Sequence, residues 1–175
     1  MNMKRTEQKR LTVFGGALAL GVLLHFLYDW TGSALVSPFS PVRESLWEHV
    51  KIVFWPLLLA GAVLSGSEKR TAAAWRLSAV ITSMLMLLAA YVYHILLGGD
   101  WLVFDLVLYA VSIVAGFLIP RLLWAGTEHA GVRGLAAVLC ILLAAALTWW
   151  SFRMPEGILF ADLTYGSQTF FTIPV

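Results

Sequence analysis

The chain has 175 residues, of which 60% are hydrophobic and 13% are charged, and its formal net charge is +2. Soluble domains carry about 25% charged residues, so this composition indicates an integral membrane protein and excludes a soluble domain of any size. The small net charge and the dispersed basic residues exclude nucleic acid as a partner. The single cysteine, Cys140, excludes an internal disulfide framework and a CxxC metal site.

Apolar runs close to the ~20 residues that cross a bilayer predict an all-α protein with one transmembrane domain, residues 1–175. The predicted spans are residues 11–30, 50–66, 76–98, 101–122 and 133–152. The first run is longer than the apolar part of a signal peptide and contains His25, so we expect it to be retained.

Two further segments flank these spans. Ser40 followed by Pro41 is a typical helix start, which predicts a short amphipathic outer helix over residues 41–50, before the second span. Residues 153–175 are aromatic and nearly uncharged, but proline and glycine interrupt them. We expect this tail to lie at the membrane interface and to fold back over the outer face.

The basic residues predict the orientation, because cytoplasmic segments carry an excess of lysine and arginine. Nine lie on the side of the N-terminus and three on the other, which places the N-terminus in the cytoplasm and the C-terminus outside. The nine are Lys4, Arg5, Lys9, Arg10, Lys69, Arg70, Arg76, Arg121 and Arg133. We expect a multi-pass protein of the plasma membrane. Five spans are few for a self-contained transport path, which raises homodimerisation as a hypothesis.

Ionisable residues are concentrated between Ser40 and Lys51 and at one depth in the spans. Residues four apart share a helical face, as the pairs Glu44/Glu48 and Ser45/His49 do. Ionisable groups inside a span are costly and normally face the bundle interior. At about 1.5 Å per residue, the first, third and fourth spans each place such a group roughly 6–9 Å below the outer surface. This arrangement predicts an outward-facing polar pocket lined by His25, Asp29, Glu44, Glu48, His49, His94 and Asp105.

Three functional hypotheses fit this pocket. The first is a divalent metal such as Zn²⁺, whose bound water would hydrolyse a lipid-like substrate. The candidate metal ligands are His25, Asp29, Glu44 and His49, and the candidate catalytic residues are Glu48, Asp105 and Ser45. The second is a proton or ion pathway in a non-enzymatic small transporter or accessory membrane component. The third is a haem bound between His25 and His94 in the bundle core, for which the sequence has no attachment motif.

Each of these residues also has a purely structural interpretation. Glu44, Glu48 and Lys51 form ion pairs on a solvated helix face in that interpretation. A pair between His25 and Asp29 would only fix the end of the first span. Asp105 would only donate or accept a structural hydrogen bond.

The segment with Glu44, Ser45, Trp47, Glu48, His49 and Lys51 resembles the signature of an uncharacterised family of small prokaryotic multi-pass membrane proteins. That signature is Asn-Glu-Ser-x-Trp-Glu-His-x-Lys before an aromatic-Pro span, and Arg43 stands here in place of its asparagine. The resemblance extends to residues 25–30, to Asp105 and, more loosely, to residues 164–166, whereas His94 lies outside it. It implies a shared site without an assigned activity. A vaguer similarity to intramembrane hydrolases of the alkaline ceramidase kind is analogy only.

Overall fold

The computed structural model describes residues 3–66 and 68–163, and all regular structure within these ranges is helical. The helices are α1 (Met3–Thr31), α2 (Leu46–His49), α3 (Lys51–Ser65), α4 (Lys69–Tyr91), α5 (Leu102–Leu123) and α6 (Ala130–Phe152). A π-helical turn, Val92–Leu96, continues α4, and 3₁₀ turns lie at Gly126–Glu128 and Ile158–Phe160.

Five helical segments are long and apolar enough to cross a membrane, with α2 and α3 together forming the second. They are Lys4–Thr31, Leu46–Ser65, Lys69–Leu96, Leu102–Leu123 and Ala130–Phe152. Their outer faces expose large apolar side chains such as Leu102, Leu122 and Ile141, a surface that suits lipid rather than water. The prediction of an all-α, multi-pass membrane protein with five spans is confirmed.

The two ends of the bundle differ in character. The end that holds residues 4–10, 64–76 and 120–130 is called the proximal end here. The end that holds residues 25–51, 92–105 and 149–163 is called the distal end. Nine basic residues lie towards the proximal end, whereas the predicted pocket residues all lie towards the distal end.

The centre of the bundle is α3, which follows directly after the ionisable stretch. Helix α4 packs against α3, α5 and α6, while α1 packs against α3. The side chains of Val53, Phe54 and Leu57 are completely buried, and the second span is the most buried of the five. Because α3 is held on several sides, the residues just before it are placed rigidly at the distal end.

The close contact between α1 and α3 depends on Gly21. A Cβ added there would collide with the hydroxyl of Tyr109 and would lie 2.6 Å from the Ile52 carbonyl oxygen. Pro56 lies inside α3 and has no N–H to donate to that carbonyl, four residues earlier. The proline therefore leaves the carbonyl without its helical donor where Gly21 of α1 lies against α3, one turn before His25.

The predicted outer helix over 41–50 is shorter than expected. Residues 41–44 are not helical, and α2 begins at Leu46 with Ser45 as its N-cap, whose hydroxyl accepts the Glu48 N–H at 3.3 Å. Ser40 does not cap a helix, because its buried hydroxyl contacts α1. It accepts the Tyr28 N–H at 2.9 Å and donates to the Leu24 carbonyl at 2.5 Å. One hydroxyl thus bridges the turn of α1 that carries His25.

The described part of the C-terminal tail packs over α2. The Phe160 ring lies 5.6 Å from the ring of Trp47 and 5.4 Å from that of Trp150, centroid to centroid. The backbone N–H of Leu163 donates to the Glu44 carbonyl at 2.8 Å. Residues 153–163 therefore support the segment that carries the candidate site. The remainder of the predicted tail, 164–175, lies outside the described residues.

Candidate metal centre

Three side chains from distant parts of the chain converge at the distal end. They are His25 on α1, Glu44 in the loop before α2, and His49 at the end of α2. Each offers one ligand atom, and these atoms all lie within 4.8 Å of one another. The Nε2 atom of His49 lies 3.2 Å from Oε2 of Glu44, and the two imidazole rings are 5.2 Å apart between centroids. The structure thus brings together three of the four predicted metal ligands, and we call them the His25–Glu44–His49 cluster.

A backbone hydrogen bond orients the His49 ring. Its Nδ1 lies 2.8 Å from the carbonyl oxygen of Ser45, one helical turn earlier. A carbonyl can only accept, so Nδ1 carries a proton and Nε2 faces the cluster. Metal-binding histidines typically use this arrangement, in which the second ring nitrogen donates to a carbonyl and fixes the tautomer.

The His25 ring has fewer hydrogen-bond partners than the His49 ring. Its Nδ1 atom is buried and has no hydrogen-bond partner among the described residues. The ring packs against Phe26, with 4.7 Å between the ring centroids. Asp29, one turn later, is exposed and interacts electrostatically with His25 without joining the cluster. Its predicted role as a direct ligand therefore remains a prediction, and a supporting charge fits its position better.

Solvent reaches the cluster from the side of Glu44. The Glu44 side chain is 47% exposed and that of His49 is 27% exposed. The hydrogen bond from His49 lowers the pKa of Glu44 from its ordinary value, an effect that partial burial opposes. Glu44 is consequently an anion over a wide pH range, as a carboxylate metal ligand must be.

Glu48 and Lys51 form a separate, fully buried ion pair in the same segment. The Lys51 ammonium donates to Glu48 Oε2 at 2.5 Å and to the carbonyls of Ser37 and Ser40 at 2.8 and 3.1 Å. The same Glu48 oxygen accepts the Val42 N–H at 2.8 Å. Both side chains are 0% exposed, so this pair ties the 37–42 loop to the second span. The geometry favours that structural role for Glu48 over the predicted catalytic one.

Asp105 lies at the start of α5, within electrostatic reach of His49. Its Oδ1 atom is 2.8 Å from Nε2 of His94, while Nδ1 of His94 is 2.9 Å from the Gly99 carbonyl. Both ring nitrogens of His94 thus face oxygen acceptors. Because both nitrogens of His94 are engaged, the geometry does not favour His94 as a haem ligand.

The predicted catalytic residue Ser45 is buried, and its hydroxyl is occupied as the cap of α2. Its contribution to the site comes from the carbonyl that orients His49. Sequence reasoning missed Gly21 and the bridging role of Ser40. The signal for Gly21 was its spacing of four residues before His25, which places both on one face of α1.

A family model described as "Family of unknown function (DUF6512)" matches residues 1–169. The chain belongs to this family. The matched range of this DUF6512 member includes the His25–Glu44–His49 cluster, the Glu48–Lys51 pair and the His94–Asp105 pair. Neither the curated proteins nor the solved structures contain a significant match. The activity of this DUF6512 member therefore has to be argued from the site.

Proposed function

We propose that the His25–Glu44–His49 cluster binds a divalent transition metal such as Zn²⁺ and that the site hydrolyses a lipid-like substrate. The observation that carries this proposal is the convergence of two imidazoles and a carboxylate, with all ligand atoms within 4.8 Å of one another. Two histidines and one acid are a known ligand set of catalytic zinc sites, which keep a fourth position for water. A metal lowers the pKa of that water to about 7, so that hydroxide is available as a nucleophile.

The state of His25 supports metal binding over a simple ion pair between Glu44 and His49. The Ser45 carbonyl holds the His49 tautomer that presents Nε2 to the cluster. His25 has a buried nitrogen without a partner in the described chain, an unusual state that a ligand relieves. A structural ion pair between Glu44 and His49 would account for the orientation of His49 but not for the unpartnered nitrogen of His25.

Asp105 is the general base that fits this geometry best. Its carboxylate is 44% exposed, interacts with His49, and is oriented by the 2.8 Å contact with His94. A general base has to lie within hydrogen-bond reach of the attacking water, directly or through one further water. In this proposal Asp105 takes the proton from water, and His94 positions Asp105.

The surroundings of the cluster favour a substrate that comes from the lipid phase. Phe26 packs against His25 while 42% of its own surface is exposed, and Trp30 stacks on Phe26 with 66% exposed. Aromatic side chains of this kind collect at the interface between membrane and water. With the N-terminus in the cytoplasm, as the basic residues predict, the site lies at the outer face of the plasma membrane.

A second candidate function is proton or ion handling by a non-enzymatic transporter or accessory component. The observation that favours it is the line of titratable groups from the hydrogen-bonded His94–Asp105 pair through His49 to Glu44. Histidines and carboxylates in such a series are typical of proton relays in membranes. This function needs no bound metal.

Elemental analysis of the detergent-purified protein tests the metal site. We expect about one zinc per chain in the wild type after incubation with Zn²⁺ and removal of excess, and its loss in His49→Ala and His25→Ala. His129→Ala is the matched control, because His129 is an exposed histidine at the proximal end and should retain the metal. A wild type without metal under these conditions would overturn the proposal and leave ion handling.

Asp105→Asn tests whether Asp105 acts as the general base. In a metal hydrolase this variant should retain zinc and lose about 10²–10⁴-fold of its turnover of ester or amide lipids, the usual contribution of a general base. A variant that retains both zinc and turnover would exclude Asp105 as the base.

A further inference from the structure

The proximal end of the bundle contains a cavity of about 810 Å³ whose polar surface is mainly cationic. Four basic side chains line it, three from the first turns of α1 and one from the end of α5. They are Arg5, Lys9, Arg10 and Arg121. No acidic residue is among the described residues that line the cavity. This cavity lies at the opposite end of the bundle from the His25–Glu44–His49 cluster and is independent of it.

The charge of these four residues is not neutralised by any acidic side chain in the described part of the chain. None of them forms an ion pair with a described residue. Lys9 donates to the Val63 carbonyl at 2.9 Å and Arg10 to that of Phe117, contacts that position the side chains and leave their charge uncompensated. The guanidinium groups of Arg10 and Arg121 also repel each other electrostatically. An anion placed between them would relieve this repulsion.

A neighbouring arginine, Arg70, differs from these four residues because its charge is compensated within the protein. Arg70 lies at the same end and forms a salt bridge with Glu128 at 2.7 Å, while its guanidinium stacks over the Trp124 ring at 4.5 Å. Its charge therefore has a protein partner, although Glu128 is an exposed residue. The cations of the cavity have no comparable partner in residues 4–66 and 68–163.

The rest of the lining is apolar and reaches into the bundle. Leu64, Trp75, Pro120 and Trp124 form this part of the cavity. Trp75 lies six residues into α4, about 9 Å from its start at a rise of 1.5 Å per residue. The cavity thus combines cations at the bundle end with an apolar wall at the depth where the acyl chains of a bilayer begin.

We propose that this cavity binds an anionic phospholipid. The phosphate lies between Arg5, Lys9, Arg10 and Arg121, and the part of an acyl chain nearest the headgroup lies against Trp75 and Trp124. Charge complementarity selects the headgroup, and the apolar wall selects a lipid over a soluble anion. Basic pockets between transmembrane helices bind anionic headgroups in this way. By the predicted orientation, the lipid belongs to the cytoplasmic leaflet.

The test uses the full chain in phosphatidylcholine vesicles that contain a small, fixed fraction of brominated lipid, which quenches nearby tryptophan fluorescence. Brominated phosphatidylglycerol should quench more strongly than brominated phosphatidylcholine, because it concentrates next to Trp75 and Trp124. The preference should fall about fivefold for each cation removed, as expected for roughly 1 kcal/mol per basic residue.

The double variant Arg5→Gln/Arg121→Gln removes two cavity cations that are exposed and make no hydrogen bond or ion pair in the described structure. The matched control, Lys4→Gln/Lys69→Gln, removes the same charge from exposed residues at the same end that do not line the cavity. Loss of the preference in the first double variant alone supports the proposal.

Three results would overturn the lipid assignment. Equal quenching by the two brominated lipids in the wild type would show that the anionic headgroup is not selected. An equal loss in both double variants would show a general attraction of the basic surface for anionic lipid. Displacement of the brominated lipid by millimolar glycerol phosphate would reassign the cavity to a soluble anion.

Discussion

Two acid–base pairs come from one stretch of eight residues, 44–51, and they differ in nearly every physical respect. The Glu48–Lys51 pair is 0% exposed, with 2.5 Å between the charged atoms. The Glu44–His49 pair is 47% and 27% exposed, with 3.2 Å between them. The first joins a loop to the centre of the bundle, whereas the second lies open beside His25.

Hydrogen-bond accounting explains what each pair can do. Lys51 has three donors and three acceptors within 3.1 Å, so its ammonium is saturated. In the open cluster, His49 uses Nδ1 for a carbonyl and faces Glu44 with Nε2, while His25 keeps a buried nitrogen without a described partner. Glu48 keeps one oxygen, Oε1, without a described partner, but it is enclosed in a pair that is 0% exposed, whereas a ligand can reach the open pair.

The two pairs of this dense ionisable stretch therefore have different structural roles. The closed pair fixes the loop 37–42, and that loop carries the Ser40 hydroxyl that bridges α1 next to His25. The open pair then meets His25 at a distance that suits a metal. The buried pair thereby supports the position of the more exposed one.

The largest expected effect comes from breaking the closed pair. Lys51→Met should destabilise the protein by about 3–5 kcal/mol, because it leaves the buried Glu48 carboxylate without a partner. Thermal unfolding in detergent, followed by circular dichroism, measures this. The exposed Lys69→Met is the control and should change stability by less than about 0.5 kcal/mol.

The double variant Glu48→Met/Lys51→Met tests whether the two side chains interact directly. It removes both buried charges, so its loss of stability should be smaller than the sum of the two single losses. Additive losses would contradict a direct ion pair and would point to separate packing roles for the two side chains.

A smaller effect is expected from moving α1 away from the open cluster without touching the closed pair. Gly21→Ala places a methyl group against the Tyr109 hydroxyl and the Ile52 carbonyl, which should cost about 1–3 kcal/mol of stability. The added methyl group should also displace α1 and with it His25, one turn later, so the affinity for zinc should fall. Isothermal titration with Zn²⁺ and thermal unfolding measure the two effects.

Gly16→Ala is the matched control for this variant. Gly16 has no atom within 4 Å of an added Cβ, so alanine should leave zinc affinity unchanged and stabilise the helix by up to about 1 kcal/mol. If both glycine variants bound zinc like the wild type, the packing of Gly21 against α3 would not position the zinc site.

The five spans could be predicted from the sequence because they depend on local apolar content alone. The predicted second span at 50–66 and the observed helical segment Leu46–Ser65 differ only at their ends. The error over residues 41–44 has a tertiary cause. Ser40 and Pro41 favour a helix start locally, but the Ser40 hydroxyl is drawn to the Leu24 carbonyl of α1.

The site could be predicted only in part, for a related reason. The spacing of Ser45 and His49 correctly indicates a shared face, on which the Ser45 carbonyl reaches His49. The same spacing suggests that Glu44 and Glu48 act together, whereas Glu48 turns to Lys51 and Glu44 to His49. Which acid becomes buried depends on the loop carbonyls that surround Lys51, and helical spacing carries no information about them.

The smallest expected effect concerns the open pair and depends on pH. The hydrogen bond from His49 lowers the pKa of Glu44 in the folded protein. A lowered acid pKa stabilises the folded state above the ordinary pKa of glutamic acid, and this contribution is lost as the pH falls through the lowered value. Without metal, Glu44→Gln should cost less than about 1 kcal/mol at neutral pH because the pair is half-exposed, and the difference should vanish in acid.

Unfolding midpoints of wild type and Glu44→Gln at stepped pH, with and without Zn²⁺, measure this contribution and its link to the metal. Zinc should widen the gap at neutral pH, because a metal that binds only the folded state stabilises the better-liganded protein more. Glu128→Gln removes an acid that is somewhat more exposed, from the Arg70 pair at the proximal end, and zinc should stabilise this variant as much as the wild type. A gap between wild type and Glu44→Gln that zinc does not change would show that the open pair, like the closed one, is only structural.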